Sequence, residues 1–198
     1  TIRPALQCIG VKEGLKIVSG LYIVIAKKET YFFADCTVNI NPNSEQLAEI
    51  AVSAAETVKA FDVDPKIAML SFSNFGSAPY PESTKVKEAV KIVKAKMPDL
   101  IIDGEMQADT AVVPEILEKT FPFTNIKGGA NVLIFPDLSS ANIAYKLMAR
   151  IGQATVIGPI LMGMKKPVHV LQRGASVDDI YNMTAIAVVE AHQNSLKR

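Results

Sequence analysis

KIAMLSF, residues 66–72, is the stretch on which the fold turns. Positions Ile67 to Leu70 are apolar without alternation, and Lys66 and Ser71 mark the ends of the run. A strand with one face in water would alternate apolar and polar residues, so a run apolar on both sides implies a strand covered on both faces, as in a parallel sheet packed between helices. Working outward, LIIDG (100–104), NVLIFPD (131–137) and ATVIGPIL (154–161) have the same character and are bounded by Gly, Pro, Asp or Ser.

The stretches between them carry helical spacing. Residues 44–60 place Leu47, Ile50, Ala51, Ala54, Ala55 and Val58 on one stripe behind NPNS, which offers Asn43 or Ser44 as the N-cap. Residues 83–97 repeat the device with Val86, Ala89, Val90, Val93 and Met97. Helices are also predicted over 109–120, 139–150 and 176–195, with Pro114 disturbing the start or straightness of the first. Near the N-terminus, GLYIVIA (20–26) and TYFFADCTVN (30–39) flank the polar KKE and read as a hairpin. The expectation is an α/β fold, a three-layer α/β/α sandwich with a mostly parallel sheet and an antiparallel edge hairpin.

Composition narrows the function classes. Of 198 residues, 49% are hydrophobic and 21% charged, the profile of an ordinary globular chain, and the net charge of +1 supplies no general attraction to nucleic acid or an anionic membrane. Neither is expected as a partner. Cys8 and Cys36 have no CxxC or Cys/His metal spacing and read as free thiols, and no metal site is expected. The longest apolar stretch, LKIVSGLYIVIA (15–26), is broken by Lys16, Ser19 and Gly20 and is shorter than the ~20 residues a bilayer crossing requires. With no signal peptide, a cytoplasmic protein is expected; a start at TIRPAL reads as part of a longer chain.

Open α/β sheets bind ligands outside the carboxyl ends of their strands. The loops predicted there are 71–78, 103–109, 135–142 and 163–176. The first, SFSNFGSA, brings together the small donors Ser71, Ser73, Asn74 and Gly76, which can close around a phosphate or can simply cap a helix. Within 163–176 and the helix start beyond it, Arg173 offers a permanently charged planar fork beside Gly174, suited to a phosphate or a developing oxyanion. Asp179 stands three residues after Ser176, the spacing of a capping box with Asp in place of Glu, and spacing favours that capping role over catalysis. His169 reads as a local hydrogen-bonding group and His192 as solvent-facing. No Ser/His/Asp signature and no GxGxxG is present, so a nicotinamide site is not expected in this chain.

The phrases RPALQCIG, SEQLAEIA, MLSFS, PDLIIDGEMQAD, NVLIFPDL, NIAYKL and IGPILMGMKKPV together resemble the phosphate acetyltransferase and butyryltransferase family, in order, from about residue 1 to 192. The resemblance implies a phosphotransacetylase or isocitrate-dehydrogenase-like fold. It implies that residues 1–158 are the second domain of a two-domain protein and that 159–198 return to a first domain. In active transferases of the family the end motif reads Asp-Leu-Ser-Arg-Gly with an aspartate six residues after the arginine. Arg173 and Asp179 match that arginine and aspartate, while Gln172 stands at the serine and His169-Val170 replace Asn-Asp. Losing one preorganised donor at a reacting centre costs about 10² to 10³ in rate. On that ground Gln172, Arg173 and Asp179 are expected to be vestigial as catalysts, with Arg173, Asp179, Ser71, Ser73, Asn74 and Gly76 retained to bind acetyl-CoA or phosphate. PVHVLQ, GEMQADTAV and SFSNFGS further resemble the C-terminal domain of bacterial hybrid malic enzymes. The expectation drawn from them is a regulatory, homo-oligomer-forming domain that senses acetyl-CoA, with NADP and Mg or Mn held only by an absent malic enzyme part; an active phosphate acetyltransferase is the alternative.

Overall fold

The computed structural model describes residues 2–196. Strands β1 (Ser19–Ala26), β2 (Glu29–Ala34), β3 (Ile67–Leu70), β4 (Ile102–Met106), β5 (Val132–Ile134) and β6 (Thr155–Met162) form one sheet in the order β4-β3-β5-β2-β1-β6. β3 pairs in parallel with β4 and β5, and β5 with β2, whereas β1 runs antiparallel to both β2 and β6. Only β1 therefore opposes the common direction, which is the mostly parallel sheet expected.

The hairpin is the finer difference. It lies inside the sheet, because β5 pairs with the free side of β2 and β6 covers β1. The first four residues of β1 are all buried, and a partner on each side satisfies their backbone groups. Lys27 and Lys28 make the two-residue turn with φ of 51° and 73°, the left-handed pair that lets a tight turn follow the twist of its strands. β6 takes the outer edge and contains Pro159, whose missing N–H an edge strand tolerates.

The helices are α1 (Ile2–Cys8), α2 (Ser44–Lys59), α3 (Pro81–Lys96), α4 (Ala108–Val112), α5 (Pro114–Thr120), α6 (Leu138–Arg150) and α7 (Val177–Leu196). Asn43 is the N-cap of α2, in a reciprocal box with Gln46. Pro114 splits the predicted 109–120 helix in two at Val113, whose extended backbone is the conformation a following proline imposes. α1 was not anticipated from the sequence.

Strand alternation divides the core between the two faces. On one, Leu21, Phe32, Ile67, Met69, Ile102 and Ile134 meet α2, α3 and residues Met183 and Ile186 of α7. On the other, Tyr22, Val24, Phe33, Leu70, Met106 and Leu133 meet α4, α5 and α6. This is the three-layer arrangement. The carboxyl ends of β2 to β6 lie at one end of the sheet, and the loops leaving them carry the candidate chemistry.

Candidate functional site

Three carboxylates are buried in this part of the sheet: Asp35 and Glu105, at 2% and 1% exposure, near the carboxyl ends of β2 and β4, and Asp103, at 7%, near the amino end of β4. Such groups need partners. Asp35 accepts from the backbone N–H groups of Gly20, Thr37, Val38 and Asn39, turning the chain back beside β1. Asp103 is held by Lys94 at 2.9 Å and by the Thr124 hydroxyl. Glu105 organises the serine-rich loop: its Oε1 accepts from the Ser73 hydroxyl at 2.8 Å and from Gly76 N–H at 2.6 Å, and its carbonyl accepts from Phe75 N–H. Gly104 lets this strand end approach β3, since at φ 136° a Cβ there would stand 2.6 Å from the Met69 carbonyl.

The predicted phosphate donors thus part company. Ser73 and Gly76 already face an anion, the protein's own Glu105, and the Asn74 side chain accepts from Gln107 N–H at 2.8 Å. Ser71 alone among the four lines a cavity of about 430 Å³, shared with Phe72, Asn41, Lys85, Asp137 and Ser139. The loop's composition was that of an anion cradle, and the cradle is filled from within.

The second predicted region is open. Two adjoining cavities, about 480 and 320 Å³, lie between β1, β6, α6 and residues 170–179, and share Tyr22, Tyr145, Leu171 and Gln172 as a common wall. Arg173, Asn142, Cys36 and Thr37 also line the first, and Lys146, Arg150, Gly158 and Asp179 the second. The Tyr22 ring stacks on Tyr145 with centroids 4.4 Å apart, and its hydroxyl accepts from the Gln172 amide at 3.4 Å. The β1–β6 register shifts between Leu21 and Ile23, opposite Gly158-Pro159. A Cβ on Gly158, at φ 145°, would meet the Tyr22 ring at 2.7 Å, so glycine makes room for the aromatic wall. Burial first, then the hydrogen bond with Tyr145, pushes the Tyr22 pKa well up, and it remains a neutral phenol. Burial and then the Asp35 charge push the Cys36 thiol up as well, away from nucleophilic character.

Arg173 is exposed on the rim. Asp179 makes the capping box anticipated for it: Oδ2 accepts from Ser176 N–H at 2.8 Å and from the Ser176 hydroxyl at 2.9 Å, and Ser176 Oγ accepts from Asp179 N–H. The Ser176 backbone and then side-chain hydrogen bonds lower its pKa. The structure therefore brings Gln172, Arg173 and Asp179 together around one pair of cavities, and leaves Ser73, Asn74 and Gly76 in a separate loop. Sequence reasoning missed Tyr22, Tyr145, Asn142, Lys146 and Arg150. The spacing of Lys146 and Arg150, four apart on a helix, was a usable signal; nothing marked Tyr22, which reads as an ordinary apolar strand position.

His169, buried behind this segment, accepts from Leu161 N–H through Nδ1 at 3.3 Å, and its Nε2 lies 3.0 Å from Glu190 of α7. His192 is exposed on α7. Among the described residues there is no group of three or more His, Cys, Asp or Glu able to hold a metal, and no helix long and apolar enough to cross a membrane.

The family model for phosphate acetyl/butaryl transferase matches residues 1–188. A phosphate acetyltransferase of Bacillus subtilis (strain 168) is 50% identical over 191 residues, 96% of this chain and 59% of that protein. Among solved structures, a phosphotransacetylase from Streptococcus pyogenes matches with TM-score 0.92 and 49% identity over 98% of this chain and 59% of its own, and a Staphylococcus aureus phosphotransacetylase with TM-score 0.90 and 46% identity over 96% and 59%. The chain spans about three-fifths of the length of these relatives. These relatives are acetyltransferases, and they overturn the hybrid malic enzyme reading together with its NADP, oxidoreductase and Mg or Mn components. That reading rested on PVHVLQ, GEMQADTAV and SFSNFGS, and its expected loss of catalysis on Gln172. The glutamine does not plug the site: its amide lies against the Tyr22 hydroxyl as part of the cavity wall. The chain belongs to the phosphate acetyl/butaryl transferase family.

Proposed function

We propose that this member of the family is a phosphate acetyltransferase, or the larger part of one, moving an acetyl group between CoA and phosphate at the paired cavities beside Gln172. The observation that carries the reading is the set of three cationic side chains, Lys146, Arg150 and Arg173, set against one carboxylate, Asp179, in the walls of two adjoining cavities that Tyr22, Tyr145, Leu171 and Gln172 share. Both partners of the transfer are anions. Cations next to a low-dielectric wall favour such ligands more than the same charges would in open water.

In the reaction, the CoA sulfur attacks the carbonyl carbon of acetyl phosphate, the C–S bond forms, the C–O bond to phosphate breaks, and inorganic phosphate leaves with the bonding pair. Arg173 balances charge on the departing phosphate through its planar fork. A free thiol with a pKa of about 8.5 is mostly protonated at neutral pH and must give up its proton to a base. Asp179 is the candidate base; its cap uses Oδ2, leaving Oδ1 for the thiol proton. Gln172 supplies an amide donor where the family pattern has a hydroxyl, and Tyr22 holds that amide in place. The family resemblance extends the proposal to a two-domain protein, with any division falling beyond β6 because 158/159 lies inside that strand, and to a homo-oligomer; α7 exposes Val177, Tyr181 and Val188, an apolar surface available to the rest of such a protein.

The test is thiol consumption by the full chain supplied with CoA and acetyl phosphate, read with free thiol reagent. Loss of thiol that requires acetyl phosphate and collapses in Arg173→Ala is the expected result. No loss above a protein-free control would overturn the proposal. Gln172→Ser sharpens it, since activity within a few-fold of the parent would show that the amide fills the hydroxyl's role.

A further inference from the structure

The segment bearing Gln172 and Arg173 has few ties to the body of the protein. From Leu171 to Gly174 every residue is exposed. The segment's hydrogen bonds to the rest of the described residues are the Gln172–Tyr22 bond at 3.4 Å and a turn in which Ala175 N–H donates to the Gln172 carbonyl at 3.1 Å. A guanidinium that must meet a phosphate in a fixed place needs a firmer foundation.

His169 supplies it. Its ring is 5% exposed and joins three elements. Leu161 N–H, on the edge strand β6, donates to Nδ1 at 3.3 Å. On the other side of the ring Oε2 of Glu190 on α7 lies 3.0 Å from Nε2, a close polar contact without hydrogen-bond geometry. On either side, Val168 and Val170 pack against the cluster of Val18, Leu161 and Met164. The ring lines neither cavity, so it does not touch the reacting groups.

We infer that His169 is a positioning residue for the transfer, fastening the Gln172–Arg173 segment to β6 and to α7 so that Arg173 meets its phosphate without first ordering the loop. The inference rests on the transferase reading. It also accounts for the residue itself: the Oδ1 of an asparagine, the residue expected here from the family pattern, can occupy nearly the place of Nδ1 and accept the same Leu161 N–H.

Two measurements on the full chain test it. In His169→Leu the KM for acetyl phosphate should rise about 10- to 100-fold, the scale of a misplaced binding group, with a much smaller change in kcat. His169→Asn, which keeps the acceptor for Leu161, should restore most of that loss. Amide hydrogen exchange at Leu161 and residues 170–175 should be about tenfold faster or more in the leucine variant, while α2 and α3 keep their protection. Faster exchange with an unchanged KM overturns the positioning role, as does an unchanged exchange rate. If the wild type transfers no acetyl group, the functional reading falls, and the exchange measurement alone still decides whether the anchor exists. Should His169→Leu fail to fold, Glu190→Gln weakens the α7 side of the anchor and is read in the same way, with a smaller rise in KM.

Discussion

The loop at 71–78 and the segment at 170–179 make opposite use of similar materials. Both follow strand ends and both offer small donors, yet Ser73 and Gly76 turn inward onto Glu105, while Arg173 is left exposed beside two cavities. A run of serines and glycines reports that a turn can donate hydrogen bonds. It does not report to what. The deciding residue, Glu105, lies 32 positions after Ser73 and reaches it only because β3 and β4 pair in parallel.

This contrast can be broken by paired substitutions. Arg173→Ala should cost about 10² to 10³ in acetyl transfer, or about 2.7–4 kcal/mol of transition-state stabilisation, with an unchanged Tm. Comparison of kcat/KM with a thermal melt checks it, and a fall in Tm with intact transfer would exchange the roles assigned to the two regions. Ser73→Ala should do the reverse. Removing one of the two donors to Glu105 Oε1 and leaving Ala78 N–H without its acceptor costs about 1–3 kcal/mol, which lowers Tm by about 2–4 °C for each kcal/mol, while the KM for acetyl phosphate stays put.

Smaller effects concern the cap at the entrance to α7. Ser176→Ala removes the N-cap hydroxyl and should destabilise the helix start by about 0.5–2 kcal/mol, visible as faster exchange in the first turn of α7. The smallest expected effect is in acid. The Asp179 pKa is depressed by its bonds to Ser176, so its contribution is fully present above the unfolded carboxyl value of about 3.9 and is lost as pH falls through the lower folded value. An NMR titration of the α7 first-turn amides should therefore show fraying only below about pH 4. Fraying that begins near neutrality would mean that some group other than Asp179 holds this end.

The weight placed on Gln172 is instructive for the same reason as the loop. One altered position in a catalytic phrase was weighed as loss of function, whereas half of 191 aligned residues are identical to an acetyltransferase. Here the amide found a partner in Tyr22, on a strand 150 residues away in sequence.

The sequence alone was enough for the α/β class, for six of the seven helices among the described residues, with Pro114 marking the α4/α5 break, for the strands and for the capping of α7 by Ser176 and Asp179. These follow from periodicity and from the local chemistry of caps, which act within a few residues of each other. α1 is seven residues long, too short for helical periodicity to stand out, although Ala5 and Leu6 pack against Val18, Leu161 and Met164. Only tertiary structure placed the hairpin inside the sheet, filled the serine loop with Glu105, set Lys146 and Arg150 beside Arg173, and joined His169 to Leu161 and Glu190. Each of those depends on which strands become neighbours, and strand pairing is a long-range choice made by burying two apolar faces at once, which no local pattern encodes.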